Sequence, residues 1–387
     1  MVFSLFSCCR SKATVLPDAQ TVHEKHSEIC SDEPAPLTPS PATIQEESKW
    51  DKIGATSLKK ALVNTVMVDA EWLAELADRG GILPRCQDVP AKAKVSLSEM
   101  EAWDDQYTVG VLVISYPWLD RNHPDPHGEQ LRKLAFVMKA FAAKARTIKD
   151  CRVGVFWDYA SLPQKNLNGV DDRNKEESER FKRALQGINA WYGHQKTHVV
   201  LVTTPLPTGH VYTNTQPYVG RGWCCAEKLM SSVVKDQDAL IDMSKLNGNE
   251  TAVSELIKNG KASRPPPMSP DAFHQMLKDG VDDESIKFTN RGDVGVVADI
   301  YERAFVDEMS AATTLYYAGL GWSDSEITVL SAAFTFAHAR GALAQLQVSS
   351  RVTALSSRLE TWHTRSLGLT VSFDVPYMPY AEALPLQ

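Results

Sequence analysis

The chain has 387 residues, 43% apolar and 23% charged, with a net charge of -7. That length suits one large domain with appendages or two domains, and the composition is that of an ordinary globular protein. Weak acidity argues against nucleic acid as a partner, no apolar run reaches the roughly 18 residues of a membrane helix, and no secretory leader is legible, so the expected location is the cytoplasm. The seven cysteines, Cys8, Cys9, Cys30, Cys86, Cys151, Cys224 and Cys225, are odd in number and lack paired C-x-x-C spacing. Reduced thiols are therefore expected rather than a disulfide framework or a structural zinc site.

Residues 1–48 are rich in Ser, Pro, Glu and Thr, with Pro34, Pro36, Pro39 and Pro41 interrupting any regular backbone, and read as a disordered tail. At its start Phe3, Leu5 and Phe6 precede Cys8 and Cys9, then Arg10 and Lys12. This order suits S-acylation beside an anionic membrane surface, although one acyl signal binds weakly and an unmodified terminus is the alternative. Peripheral membrane attachment is expected only if Cys8 and Cys9 are acylated.

Residues 49–105 read as a helical lead-in, because Leu58, Leu62, Val66, Trp72, Leu73 and Leu76 recur at helical spacing before a Gly80-Gly81 stop. Residues 106–245 then alternate strand and helix. The run Tyr107–Tyr116 predicts a strand buried on both faces. Leu131, Leu134, Val137, Met138, Phe141 and Ala145 predict an amphipathic helix, and Val153–Trp157 a second buried strand. Phe181, Leu185, Ile188 and Tyr192 line a second helix, Val199–Val202 forms a third strand, and a third helix follows near Glu227 to Val234. Leu240–Met243 is the weakest strand signal. The fold class is α/β, an open, mostly parallel sheet with helices on both faces.

Residues 246–293 read as an irregular linker broken by Pro265-Pro266-Pro267, with one short helix capped by Ser269, started by Pro270 and ended by Gly280. Residues 294–387 read as a helical C-terminal extension.

Ligands of open parallel sheets bind beyond the carboxyl ends of the strands, so the residues after each strand are the candidate site. The first strand ends in Ser115-Tyr116-Pro117-Trp118, and the second runs into Asp158-Tyr159-Ala160-Ser161-Leu162-Pro163-Gln164. The third leads to Arg221-Gly222-Trp223-Cys224-Cys225-Ala226-Glu227.

The last segment resembles the W-C-x-x-E of TIR domains, and Arg221, Trp223 and Glu227 also fit the R-x-W-x-x-x-E of heterokaryon-incompatibility (HET) domains. Asp158 and Gln164 fit the W-I-D-x-x-C-I-N-Q of HET domains, while Trp157, Ser161 and Pro163 depart from it. The acidic helix Glu176 to Tyr192 and the closing Ser115-Tyr116 are similar to the corresponding segments of these families. The resemblance covers about Tyr107 to Val234, a third of the chain, and implies a TIR-like, flavodoxin-like sheet. It further implies a signalling or defence protein in which Glu227 cleaves the nicotinamide–ribose bond of NAD. Ser115, Tyr116, Trp118, Asp158, Gln164, Arg221 and Trp223 would then bind the nucleotide, with NAD as substrate and no resident cofactor.

Such a role is chemically coherent. Breaking that bond builds oxocarbenium-like charge that one carboxylate can stabilise, and nicotinamide already leaves as a neutral group from a cation. Trp118, Trp157 or Trp223 could stack on the rings. The alternative is that Glu227 serves the helix dipole or pairs with Arg221, in a non-catalytic module that self-assembles into homo-oligomers. His123, Asp125 and His127, in H-P-D-P-H, carry side chains able to ligate a divalent metal, or form a solvated loop. Cys224 and Cys225 read as buried small residues rather than nucleophiles.

Overall fold

The computed structural model describes residues 47–344, apart from 289–291, 314 and 318. Cys8 and Cys9, the rest of the tail before residue 47, and residues 345–387 of the C-terminal extension lie outside the described residues.

The chain enters through α1 (Lys49–Lys52) and α2 (Thr56–Leu62), and then forms β1 (Val68–Asp69) and α3 (Ala70–Asp78). Here the helical lead-in needs correcting, because it contributes a strand. The Val66 N–H donates to the carbonyl of Ser161 at 2.9 Å instead of to a helical partner. Asp69 ends β1 and begins α3 at once: its backbone is extended while its side chain accepts from the Glu71 N–H at 3.1 Å. α4 (Leu97–Glu101) follows, closed by a reciprocal Ser96–Glu99 cap.

β2 (Val111–Ser115) is the centre of the sheet, and all five of its residues are buried. Alternation splits its side chains, so Val111 and Val113 enter one core while Leu112 and Ile114 enter the other. α5 (Glu129–Arg146) packs Leu131, Leu134 and Phe141 on the Leu112 face and leads to β3 (Gly154–Phe156). α6 (Asp158–Ser161) is a single turn, and α7 (Lys175–Gln186) and α8 (Ile188–Gly193) return along the Val111 face to β4 (His198–Leu201). The sequence read α7 and α8 as one helix; Gly187 divides them. α9 (Gly222–Met230) starts five residues before Glu227, so Glu227 sits inside a helix expected to begin there. β5 (Leu240–Asp242) confirms the weakest strand signal.

The strand order is β1-β3-β2-β4-β5, with β3, β2, β4 and β5 mutually parallel and β1 antiparallel to β3. Val111–Ser115, Val153–Trp157 and Val199–Val202, expected to be adjacent, parallel and buried, meet that expectation. The chain leaves β2 toward β3 on one side and reaches β4 on the other, so the connections reverse beside β2. In sheets of this kind ligands bind beside such a reversal.

Of the later helices, α10 (Val253–Gly260) lies where only irregular linker was expected, while α11 (Pro270–Asp282) begins as read, Ser269 accepting from the Ala272 N–H at 3.4 Å. α12 (Asp293–Ala311) and α13 (Asp324–Ala339) are the last helices among the described residues. α12 packs on α8 and α9, and its Val297, Tyr301 and Phe305 are buried in the same core as Val111.

Candidate functional site

β2 ends in Ser115 and passes into Tyr116, consecutive buried residues that point to opposite sides of the sheet. Each holds a carboxyl. The Ser115 hydroxyl donates to Glu227 Oε2 at 2.5 Å and also meets the Tyr218 hydroxyl at 2.7 Å. The Tyr116 hydroxyl donates to Asp158 Oδ1 at 2.7 Å. Asp158 additionally accepts from Trp118 Nε1 at 2.9 Å and from the Tyr159 N–H at 2.6 Å.

Glu227 is only 8% exposed. Desolvation pushes its carboxyl up to about 8; Asp158 adds to the rise, while the hydroxyls of Ser115 and Tyr192 oppose it. At neutral pH Glu227 is therefore mostly protonated, in contrast to an ordinary surface glutamate. Asp158 is raised by the same desolvation, partly offset by the donors from Tyr116, Trp118 and Tyr159. The cluster thus holds two electrostatically coupled carboxyls straddling the end of β2, surrounded by Tyr116, Tyr192 and Tyr218. Their phenols are held well above the usual range by burial, so they remain hydrogen-bond donors.

The remaining sequence candidates take other roles. Arg221 does not pair with Glu227: its guanidinium donates to the carbonyls of Gln216 at 2.6 Å, Asn214 at 3.0 Å and Trp118. Burial lowers it to about 10, so it remains a cation that ties the loop after β4 to the loop after β2. Trp223 Nε1 donates to Asp293 Oδ2 at 3.3 Å, joining α9 to α12. Gln164 braces a turn, donating to the Asp158 carbonyl at 3.3 Å while its backbone exchanges hydrogen bonds with the Gln87 side chain. Ser161 accepts from the Trp157 N–H at 3.0 Å.

The metal reading of His123, Asp125 and His127 is not supported. Both ring nitrogens of His123 are engaged, with the Leu83 carbonyl and the Asp125 N–H, each at 3.0 Å. Asp125 Oδ2 accepts from the Leu131 N–H at 2.8 Å, serving the start of α5, and His127 stacks on His210 with ring centres 3.6 Å apart. Among the described residues no group of three or more His, Cys, Asp or Glu could hold a metal ion. Burial raises the Cys224 thiol well above its usual range and Cys225 to about 11, which suits inert small residues.

Sequence reasoning found Ser115, Asp158 and Glu227 but missed Tyr192 and Tyr218 as their neighbours. Tyr192 had been assigned only to a packing face, and Tyr218 sits in a single turn before α9 that no periodicity marks.

Compared with protein-family models, curated proteins and solved structures, the chain matches none of them. The fold and site define a mixed α/β protein with a five-stranded, mostly parallel sheet and a buried carboxyl cluster at its central strand ends. No helix among the described residues is long and apolar enough to cross a membrane.

Proposed function

We propose that this is a TIR/HET-like signalling or defence protein that cleaves the nicotinamide–ribose bond of NAD or a related nucleotide, with Glu227 as the catalytic carboxyl. The observation that carries this reading is the 2.5 Å hydrogen bond between Ser115 at the end of β2 and Glu227 on α9, beside the point where the connections reverse. Among the four parallel strands, ordered β3-β2-β4-β5, the first in the chain lies second, which supports the flavodoxin-like arrangement of that superfamily.

The chemistry follows from charge. Protonated Glu227 costs little to bury; a docking nicotinamide ring brings a positive charge that favours its ionised form. The proton passes to solvent, the new carboxylate faces the charge that develops on the ribose as nicotinamide departs with the bonding pair, and a water molecule then bonds to the ribose carbon and releases a proton to solvent. Ser115, itself donated to by Tyr218, holds the carboxylate oxygen in place. Stabilisation is thus greatest in the transition state, the condition for a rise in kcat.

Nicotinamide release by concentrated protein, with Glu227→Gln alongside, tests this. The substitution keeps size and hydrogen bonding, so the rate should fall about a hundredfold or more while the thermal midpoint is preserved or raised. Equal rates would remove Glu227 as catalyst.

A second reading, a non-catalytic module that assembles with copies of itself, is favoured by the burial of Glu227 and by the three hydrogen bonds that commit Arg221 to backbone carbonyls. It predicts concentration-dependent light scattering with no nicotinamide release from either protein.

A further inference from the structure

Between β4 and α9 the chain leaves the end of the sheet, rests against the start of α5 and returns to Tyr218. The two contacts lie on opposite faces of the sheet: Leu131 of α5 belongs to the Leu112 core, and Tyr218 to the Val111 core. The segment therefore crosses the carboxyl end of the sheet, and Tyr218 at its close meets the Ser115 hydroxyl that holds Glu227. Little apolar packing holds it there. Of residues 203–217 only Tyr212 is buried, and Val211 is 98% exposed. Its ties are hydrogen bonds instead. The Tyr212 hydroxyl donates to Glu129, the Thr213 N–H to Asp120 Oδ1 at 2.8 Å and the Asn214 N–H to the Leu119 carbonyl at 3.0 Å.

We propose that residues 203–217 form an autoinhibitory strap, which closes the end of the sheet over Glu227 and opens as a unit while the α/β body stays folded. A segment with few buried contacts opens at lower free energy than the strands beneath it, and long connections without secondary structure of their own commonly serve as lids. The closed strap accounts for the burial of Glu227, which at 8% exposed meets no substrate in this state. A site that is available only in the open fraction binds its ligand more weakly in proportion to that fraction, so the ties of the strap set the resting activity. That the open form admits a nucleotide rests on the cleavage reading; the opening itself does not.

The test is amide hydrogen exchange, read by mass spectrometry on the full chain, in the unaltered protein and in the double variant Asp120→Ala, Tyr212→Phe. The substitutions remove the acceptor of Thr213 and the hydroxyl of Tyr212 while keeping its ring. Exchange across residues 203–217 should become at least about tenfold faster with the amides of β2 and β4 unchanged. Nicotinamide release, measured below saturating NAD, should rise by a similar factor. Should the double variant fail to fold, Tyr212→Phe alone should move exchange and release in the same direction by a smaller factor. Unchanged exchange would overturn the strap, as would acceleration that extends into β2 and β4, because the segment would then open only with the fold. Local acceleration with unchanged release, in a protein that does release nicotinamide, would overturn its guarding of Glu227. Local acceleration with no release from either protein would uphold the strap and remove the cleavage reading.

Discussion

At the scale of single residues, protonation of Glu227 is the property most open to measurement. Its folded value lies near 8 against an ordinary 4.5, so the folded protein binds more protons than the unfolded chain between those limits. The stability contributed by this group is therefore present in acid and lost as pH rises through about 8. Glu227→Gln has no such proton to lose. Its thermal midpoint should gain on that of the unaltered protein as pH rises from about 5 to 8, and a constant difference would show that the carboxyl is not desolvated. If ionised Glu227 is the catalyst, kcat/KM should climb about tenfold per pH unit and level off near 8. The corresponding inflection in kcat should lie lower, because a bound cation favours the carboxylate.

At the scale of elements, the strands were legible wherever burial on both faces wrote a continuous β-branched run, as in Val111–Ser115 and His198–Leu201. β1 was not, because two residues carry no period and the helical spacing of α2 and α3 continues visually across them. α10 was missed because its start has Ala252 where a capping side chain is usual; Glu255 instead reaches back to the N–H groups of Thr251 and Ala252. Asp158 could be read because it follows a strand end, and Glu227 because Arg221–Glu227 resembles a family motif, whereas the direction of the Tyr192 and Tyr218 hydroxyls depends on how α8 and the turn before α9 are docked. One glycine sets such a docking. Gly128 precedes α5 with φ of 68°, and a Cβ there would lie 2.5 Å from the Gly81 carbonyl oxygen. Gly128→Ala should cost ~2 kcal/mol or more, from the left-handed backbone and the backbone clash together, as read from urea unfolding.

At the scale of the whole molecule, the C-terminal helices are fastened to the sheet by charge as well as by apolar packing. Lys235 is fully buried and donates to the carbonyls of His194 and Thr197 and to the Thr197 hydroxyl, while Glu308 of α12 acts on it electrostatically. Burial lowers the lysine and raises the glutamate, and each charge counters the effect on the other. Lys235→Met should cost about 3–5 kcal/mol by leaving Glu308 and three acceptors without their cation, measured by denaturant unfolding. Adding Glu308→Leu should recover part of that loss, since the orphaned carboxyl goes with it.

Both borders of the sheet are occupied. Lys94 bridges Val68 on the outer side of β1, and the Val95 N–H donates to the Met67 carbonyl; on the outer side of β5, Lys261 bridges Ile241 and the Ala262 N–H donates to the Leu240 carbonyl. Among the described residues a neighbouring chain therefore finds no row of vacant amides on this sheet to extend, the usual route from a flat sheet to a fibre. If the described residues build an assembly of copies, helices and loops are the surfaces left to join them, like bricks laid on their faces rather than planks nailed edge to edge. A dye that lights up on stacked strands should stay dark in its assemblies even as they scatter light.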